Sequence, residues 1–177
     1  MLGVIERERK YRLSADVAAQ IAATLDRVAT FDRREIQETV HFADRQGRLG
    51  DLNLRLRTIG ARQELTVKGP RLEDGPSKVR EEHTIVVDGD VAPVMAALGL
   101  VPSVRYRKLT AIFAYDGALV SLDEVEGIGR FCEVEAADDT TIERVSARLG
   151  LTGVDLEPRG YARLQRARAR NDVDEVR

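Results

Sequence analysis

The sequence predicts an α+β domain built on eight mainly antiparallel strands, arranged either as a sheet packed on one side or as a sheet curled into a barrel. Three observations point there. Hydrophobicity alternates with period two along most of the chain, Gly-, Asp- and Pro-bearing breaks separate the alternating runs, and only a few stretches carry helical periodicity. The 177 residues are 43% hydrophobic and 33% charged, the mixture of one globular domain. We place that domain at residues 1–170, with 171–177 as a flexible tail. A chain of this size buries roughly 70% of its unfolded surface, enough for a core without disulfides or a structural metal.

The first alternating run is Gly3 to Leu13. Ser14 then offers a helix N-cap, and Ala15 to Val28 sets Val17, Ile21, Leu25 and Val28 on one stripe. Further alternating runs cover Arg34 to Ala43, Leu52 to Ile59, Arg62 to Lys68 and Val79 to Val87, followed by Val104 to Tyr115, Ala118 to Glu126 and Arg130 to Ala136. The breaks at Gln46-Gly47, Gly69-Pro70, Asp88-Gly89 and Asp116-Gly117 suit antiparallel neighbours, and the last is a tight-hairpin dipeptide. Helical patterns fit Val91 to Leu98, Thr140 to Leu149 and Pro158 to Arg168, before a tail that frays from Asn171 to Arg177.

Charge and composition exclude several functions. With 28 basic against 30 acidic residues the chain lacks the basic footprint of a nucleic-acid-binding domain. The one cysteine, Cys132, excludes an intramolecular disulfide, and with His41 and His83 alone beside it the zinc-ligand inventory is nearly empty. Any metal is therefore expected to be oxygen-ligated. The N-terminal MLGVIERERK has no apolar signal core, and no run approaches the ~18 apolar residues that span a bilayer, so no membrane partner and a cytoplasmic location are expected. Exposed barrel strands leave room for a homodimer.

Strand parity separates an apolar face from a charged one. The charged set contains Glu6, Glu8, Lys10, Arg55, Arg57, Glu64, Lys68, Arg80, Glu82, Arg105, Arg107, Asp123, Glu133 and Glu135. Any one such strand is an ordinary solvated sheet face. Together they form like-charged doublets whose members lie roughly 6.5 to 7 Å apart, so each doublet repels itself unless a ligand or opposite charge intervenes. The acidic doublets suit a hard divalent cation, magnesium or manganese. The Arg doublets present rigid forks that match phosphate oxygens. A metal-bound polyphosphate meets both demands, and no Walker A loop or dinucleotide fingerprint competes. By parity His83 and Cys132 point away from this face, and His41 is able to reach it.

The Glu6-Arg7-Glu8-Arg9-Lys10 run resembles the Glu-x-Glu-x-Lys signature of the CYTH superfamily, the triphosphate tunnel metalloenzymes. The resemblance extends in order through Leu54-Arg55-Leu56-Arg57, Leu65 to Pro70, Arg80-Glu81-Glu82, Arg105-Tyr106-Arg107, Leu122 to Val125 and Gly129 to Glu135. It implies an eight-stranded antiparallel barrel that forms a tunnel, with the charged face inside. It further implies Mg2+ or Mn2+ at Glu6, Glu8, Asp123, Glu133 and Glu135, and catalytic roles for Glu6, Glu8 and Lys10. The triphosphate site it implies comprises Lys10, Arg55, Arg57, Lys68, Arg80, Arg105, Arg107 and Arg159, with Glu82 orienting neighbouring cations. Two departures stand out: Arg105-Tyr106-Arg107 replaces a frequent Lys-x-Arg, and Arg159-Gly160-Tyr161 replaces Lys-Ser-Tyr. Both keep positive charge, but Arg is a poor proton shuttle. The implied substrates are ATP, thiamine triphosphate or inorganic triphosphate. The motifs lean toward class IV adenylate cyclases, triphosphatases share nearly every residue, and a polyphosphate sensor without turnover is the third reading.

Overall fold

The computed structural model describes residues 4–174, with side chains described through residue 170. Eight strands close into a barrel: β1 (Val4–Leu13), β2 (Thr30–Asp44), β3 (Asn53–Ile59), β4 (Arg62–Lys68), β5 (Lys78–Val87), β6 (Leu100–Tyr115), β7 (Ala118–Val125) and β8 (Gly129–Glu135). Their order around the barrel is β1-β5-β4-β3-β2-β6-β7-β8, and β8 returns to β1. Every neighbouring pair is antiparallel. Closure resolves the choice between packed sheet and barrel, because it leaves no edge strand with unpaired backbone groups. The predicted start of the first strand at Gly3 lies outside the described residues.

Four helices flank the barrel: α1 (Ala15–Val28), α2 (Ala92–Ala97), α3 (Asp139–Arg148) and α4 (Tyr161–Asp174). Ser14 caps α1 by accepting from the Val17 amide, and Asp138 caps α3 by accepting from the Thr141 amide at 2.7 Å. The last helix starts three residues later than the sequence pattern suggests and continues to Asp174, past the predicted onset of the tail; Glu175 to Arg177 lie outside the described residues. Among the described residues no helix is long and apolar enough to cross a membrane.

The main core lies outside the barrel wall, under α1 and α3. There Ile21, Leu25, Ile142 and Val145 pack on Tyr11, Phe113, Val120, Cys132 and Val134. Burying each such side chain contributes roughly 1.5 to 3 kcal/mol. This packing explains the parity of β1. Tyr11 faces the helices and donates to Ser146 at 2.9 Å, while Arg9 donates to Ser77 at 2.8 Å and pairs with Asp139 and Glu143. With odd positions committed to α3, the even positions Glu6, Glu8 and Lys10 turn into the barrel. A charged interior is possible because the helices supply the apolar core elsewhere.

Candidate functional site

A cavity of about 570 Å³ runs into the barrel. Ten of the charged residues grouped by parity line it: Glu6, Glu8, Lys10, Arg55, Arg57, Lys68, Arg80, Glu82, Glu133 and Glu135. Cross-strand register brings them together, because Glu6 faces Arg80, Lys10 faces Glu133 and Lys68 faces Glu82 on adjacent strands. The ladder thereby sets an opposite charge beside Glu6, Lys10 and Lys68, while it leaves Glu8 directly opposite Glu135.

The interior carboxylates are mostly engaged by lysine and arginine. Lys68 bridges Glu6 and Glu82, Arg80 donates to Glu6 at 3.1 Å, and Lys78 donates to Glu8 at 2.5 Å. Lys10 pairs with Glu133 at 3.1 Å. Burial acts to raise the Glu8 pKa, but Lys78, Lys10 and Lys68 outweigh it and hold the carboxyl well below its ordinary value. Glu133 likewise titrates low, as Lys10, Lys108 and Lys78 overcome the cost of burial. For Lys78 burial prevails over Glu8, and its pKa is lowered. Glu135 behaves differently. The surrounding protein, together with Glu6 and Glu8, pushes it up to about 7, and it forms no ion pair among the described residues.

The basic side is incompletely satisfied. The Nε groups of Arg55, Arg57 and Arg80 are buried on the cavity wall with no hydrogen-bond partner among the described residues. Such donors are seldom left unpaired in a folded protein. Three of them converge on one cavity, an arrangement that an acceptor-rich anion satisfies.

Four expectations are corrected. Arg105 and Arg107 sit on the exposed side of β6, where Arg107 approaches Glu38 at 4.0 Å. Register is the reason: His41 opposes Val104, Thr39 opposes Tyr106 and Gln37 opposes Lys108, so the even positions of β6 turn inward. The cavity is lined there by Tyr106 and Lys108, and a lysine is therefore present where the Arg105-Tyr106-Arg107 motif suggested only arginine. Arg159 also stays off the wall. Its guanidinium holds Glu157 at 2.7 Å, and only its backbone carbonyl meets the interior by accepting from Lys10 at 3.3 Å. Asp123 points inward but is sealed beneath the cavity, its side chain 0% exposed, with Lys108 and the Tyr161 hydroxyl both donating to Oδ2 at 2.7 Å.

Several lining residues escaped the parity argument. Lys78 shares the inward parity of Arg80 and lies one residue before the predicted start of its strand. Arg163 and Arg166 come from α4, which crosses the tunnel end, and Arg166 donates to Ser103 at 3.2 Å. His41 reaches the cavity, whereas His83 faces out and hydrogen-bonds Glu81. Cys132 is fully buried in the core under the helices, where burial raises its thiol pKa.

This architecture recurs in known proteins. A protein from Pyrococcus horikoshii OT3 superposes with a TM-score of 0.74 at 26% identity, over 93% of this chain and 99% of that one. A Hippeastrum candidate adenylyl cyclase, described as having a dominant triphosphatase activity, shares the fold with a TM-score of 0.72 at 19% identity, over 88% of this chain and 91% of that one. A Methanocaldococcus jannaschii protein named as a candidate adenylate cyclase is 32% identical over 109 residues, which is 59% of this chain and 62% of the relative, under two thirds of its length. The CYTH domain family profile matches residues 4–161, from the first described residue of β1 to the tyrosine that anchors α4. Because that match takes in every strand and the charged residues the strands project into the cavity, the chain belongs to the CYTH domain family.

Proposed function

We propose that this protein is a divalent-metal-dependent enzyme that acts on a triphosphate held inside the barrel, converting ATP to cyclic AMP and pyrophosphate. The observation that carries the reading is the set of unpartnered Nε donors on Arg55, Arg57 and Arg80 around one cavity. The name of the Methanocaldococcus jannaschii relative supports cyclisation as the reaction.

Within this reading Arg55, Arg57, Lys68, Arg80 and Lys10 bind the triphosphate, joined by Lys78 and Lys108. Arg105, Arg107 and Arg159 leave that set on geometric grounds. The remaining acids fit magnesium or manganese by donor chemistry: Glu6, Glu8, Glu133 and Glu135 offer hard carboxylate oxygens. The raised pKa of Glu135 beside Glu6 and Glu8 marks negative charge that a cation would neutralise. As placed, no three such groups among the described residues stand close enough to enclose an ion. A bound divalent cation supplies charge neutralisation at the phosphate oxygens.

In cyclisation the ribose 3′-hydroxyl attacks the α-phosphorus and pyrophosphate leaves. The cationic wall orients the chain of phosphates and offsets the charge that grows on the leaving group. Hydrolysis of the terminal phosphate by water uses the same wall and is the competing outcome. The test is turnover of purified protein with ATP, thiamine triphosphate and inorganic triphosphate, each with magnesium or manganese. Cyclic AMP with pyrophosphate, lost in a Glu6→Gln/Glu8→Gln variant, is the expected result. Orthophosphate without cyclic AMP makes the protein a triphosphatase, and no product from any substrate overturns the enzymatic reading.

A further inference from the structure

Glu8 is contested inside the tunnel. On one side β5 sets Lys78 opposite it, and on the other β8 sets Glu135 opposite it. The Lys78 ammonium holds Glu8 Oε1 at 2.5 Å, while Arg80 stays back at 3.9 Å from the same oxygen. Glu135 lines the same cavity and forms no ion pair among the described residues. Two carboxylates facing each other across strands suit a hard divalent cation, yet one of them is already neutralised by the protein's own ammonium.

Lys78 differs from the other lysines of the wall. Lys68 is shared between Glu6 and Glu82, and Lys10 between Glu133 and the Arg159 carbonyl. Lys108 is spent on Asp123, whose side chain is sealed from solvent. Lys78 has Glu8 as its one ionic partner among the described residues. An ammonium on a four-carbon stem changes partners by rotating its own bonds, with no movement of the strand. In the same cavity the buried Nε groups of Arg55, Arg57 and Arg80 call for an acceptor-rich anion. Lys78 and Arg80 meet at one oxygen of Glu8, so an anion seated on Arg80 lies within reach of the Lys78 ammonium.

We propose that Lys78 is a resident counter-cation for Glu8 which the triphosphate draws away, so that Glu8, together with Glu135, opens to a divalent cation when the anion is in place. Anion and cation then bind with positive coupling, although they take different residues, because Lys78 is traded between them. This rests on the metal-dependent triphosphate reading of the cavity and adds to it the residue that couples the two ligands.

The test has two arms, both on the full chain and both read as binding. In the first, Mn2+ is titrated with no anion present, and free Mn2+ is followed by its paramagnetic resonance signal. Lys78→Met should bind Mn2+ about tenfold more tightly than wild type, within the ordinary span of coupling between sites. Lys78→Arg, which keeps the charge, should bind like wild type. Arg57→Ala removes an interior cation that has no ion pair with Glu8, and should change the affinity far less. Adding Glu8→Gln to Lys78→Met should remove the gain. In the second arm inorganic triphosphate is titrated by calorimetry in EDTA. Glu8→Gln should tighten its binding, because Lys78 no longer has a carboxylate to leave, and the tightening should shrink in the Lys78→Met background. The single Glu8→Gln comparison keeps Lys78, so it decides the proposal even where Lys78→Met does not fold. In a wild type that binds triphosphate, an Mn2+ affinity unchanged or lowered by Lys78→Met, or a triphosphate affinity that Glu8→Gln fails to raise, overturns this proposal alone. A wild type that binds no triphosphate overturns the reading it rests on and this proposal with it.

Discussion

The Tyr161 hydroxyl donates to Asp123 Oδ2 at 2.7 Å and thereby fastens α4 to the floor of the tunnel. Lys108 donates to the same oxygen at 2.7 Å, and Lys10 Nζ sits 3.7 Å from the centroid of the Tyr161 ring. Burial, followed by Asp123, raises the Tyr161 pKa well above its ordinary value, so the phenol stays a proton donor. Tyr161→Phe keeps the ring contacts with Phe131 and Tyr106 and removes only the hydroxyl. Because Asp123 Oδ1 already lacks a partner among the described residues, the lost bond leaves a buried carboxylate less satisfied, at a cost of about 1 to 3 kcal/mol. Urea unfolding should show a lower midpoint with an unchanged slope. An unchanged midpoint would mean that the hydroxyl contributes nothing to holding α4.

Arg57 and Arg107 separate the interior of the barrel from its exterior. Arg57 lines the cavity beside Arg55, where burial and then Arg55 lower its pKa, while Arg107 is exposed outside. Arg57→Ala should weaken inorganic triphosphate binding roughly 10- to 100-fold, the equivalent of about 1.5 to 3 kcal/mol for a charge-assisted contact. Arg107→Ala should leave that affinity within about twofold at moderate salt, because an exposed charge is screened. Matching losses in the two variants, read by calorimetry, would contradict the inward and outward assignment made from register.

Much of the barrel was legible in alternation, and the inward positions on β3 were readable where Leu54 and Leu56 alternate with Arg55 and Arg57, while on β1 the Glu-x-Glu-x-Lys spacing marked Glu6, Glu8 and Lys10 although Arg7 and Arg9 charge the other face as well. On β6 the rule misled, because Val104, Tyr106 and Lys108 share one parity and Arg105 and Arg107 the other. Charge alone does not identify the interior of a strand whose two faces both carry cations. Pairing with β2 decides it, across a register shift at His41/Phe42 that the sequence does not display. The fate of Asp123 was hidden for a related reason. Its parity is inward, but its burial depends on Tyr161, 38 residues away.

His41 makes the fold sensitive to acid. Its pKa falls from an unfolded value near 6.5 to about 4, chiefly through burial and then Arg55, with Asn53 opposing and Arg166 and Arg57 adding repulsion. The unfolded chain therefore takes up a proton at this site at higher pH than the folded one does. Stability from this group is present above about 6.5 and is lost as pH falls toward 4. His41→Gln should flatten the decline in urea midpoint between pH 6.5 and 4 relative to wild type. An imidazole that titrates near 6.5 by NMR in the folded protein would remove the basis for this prediction.

Lys68 joins two interior carboxylates from different strands. Its ammonium contacts Glu6 and reaches Glu82 at 2.6 Å, and the residue is 6% exposed. Burial opposes ionisation of Glu82, yet Lys68 and Arg55 together hold its pKa below the ordinary value. Lys68→Met removes the cation but leaves two carboxylates in place, with Arg80 as the remaining partner of Glu6 and Arg55 that of Glu82. Breaking a buried pair from one side costs about 3 to 5 kcal/mol, far more than the pair's net contribution, because the surviving charges stay desolvated. Glu82→Gln should therefore be mild alone and should recover part of the loss when added to Lys68→Met. A double-mutant cycle by urea unfolding should show coupling of about 0.5 to 3 kcal/mol. Strict additivity would mean that Lys68 and Glu82 do not interact in solution, and that Glu6 alone keeps the lysine in the tunnel.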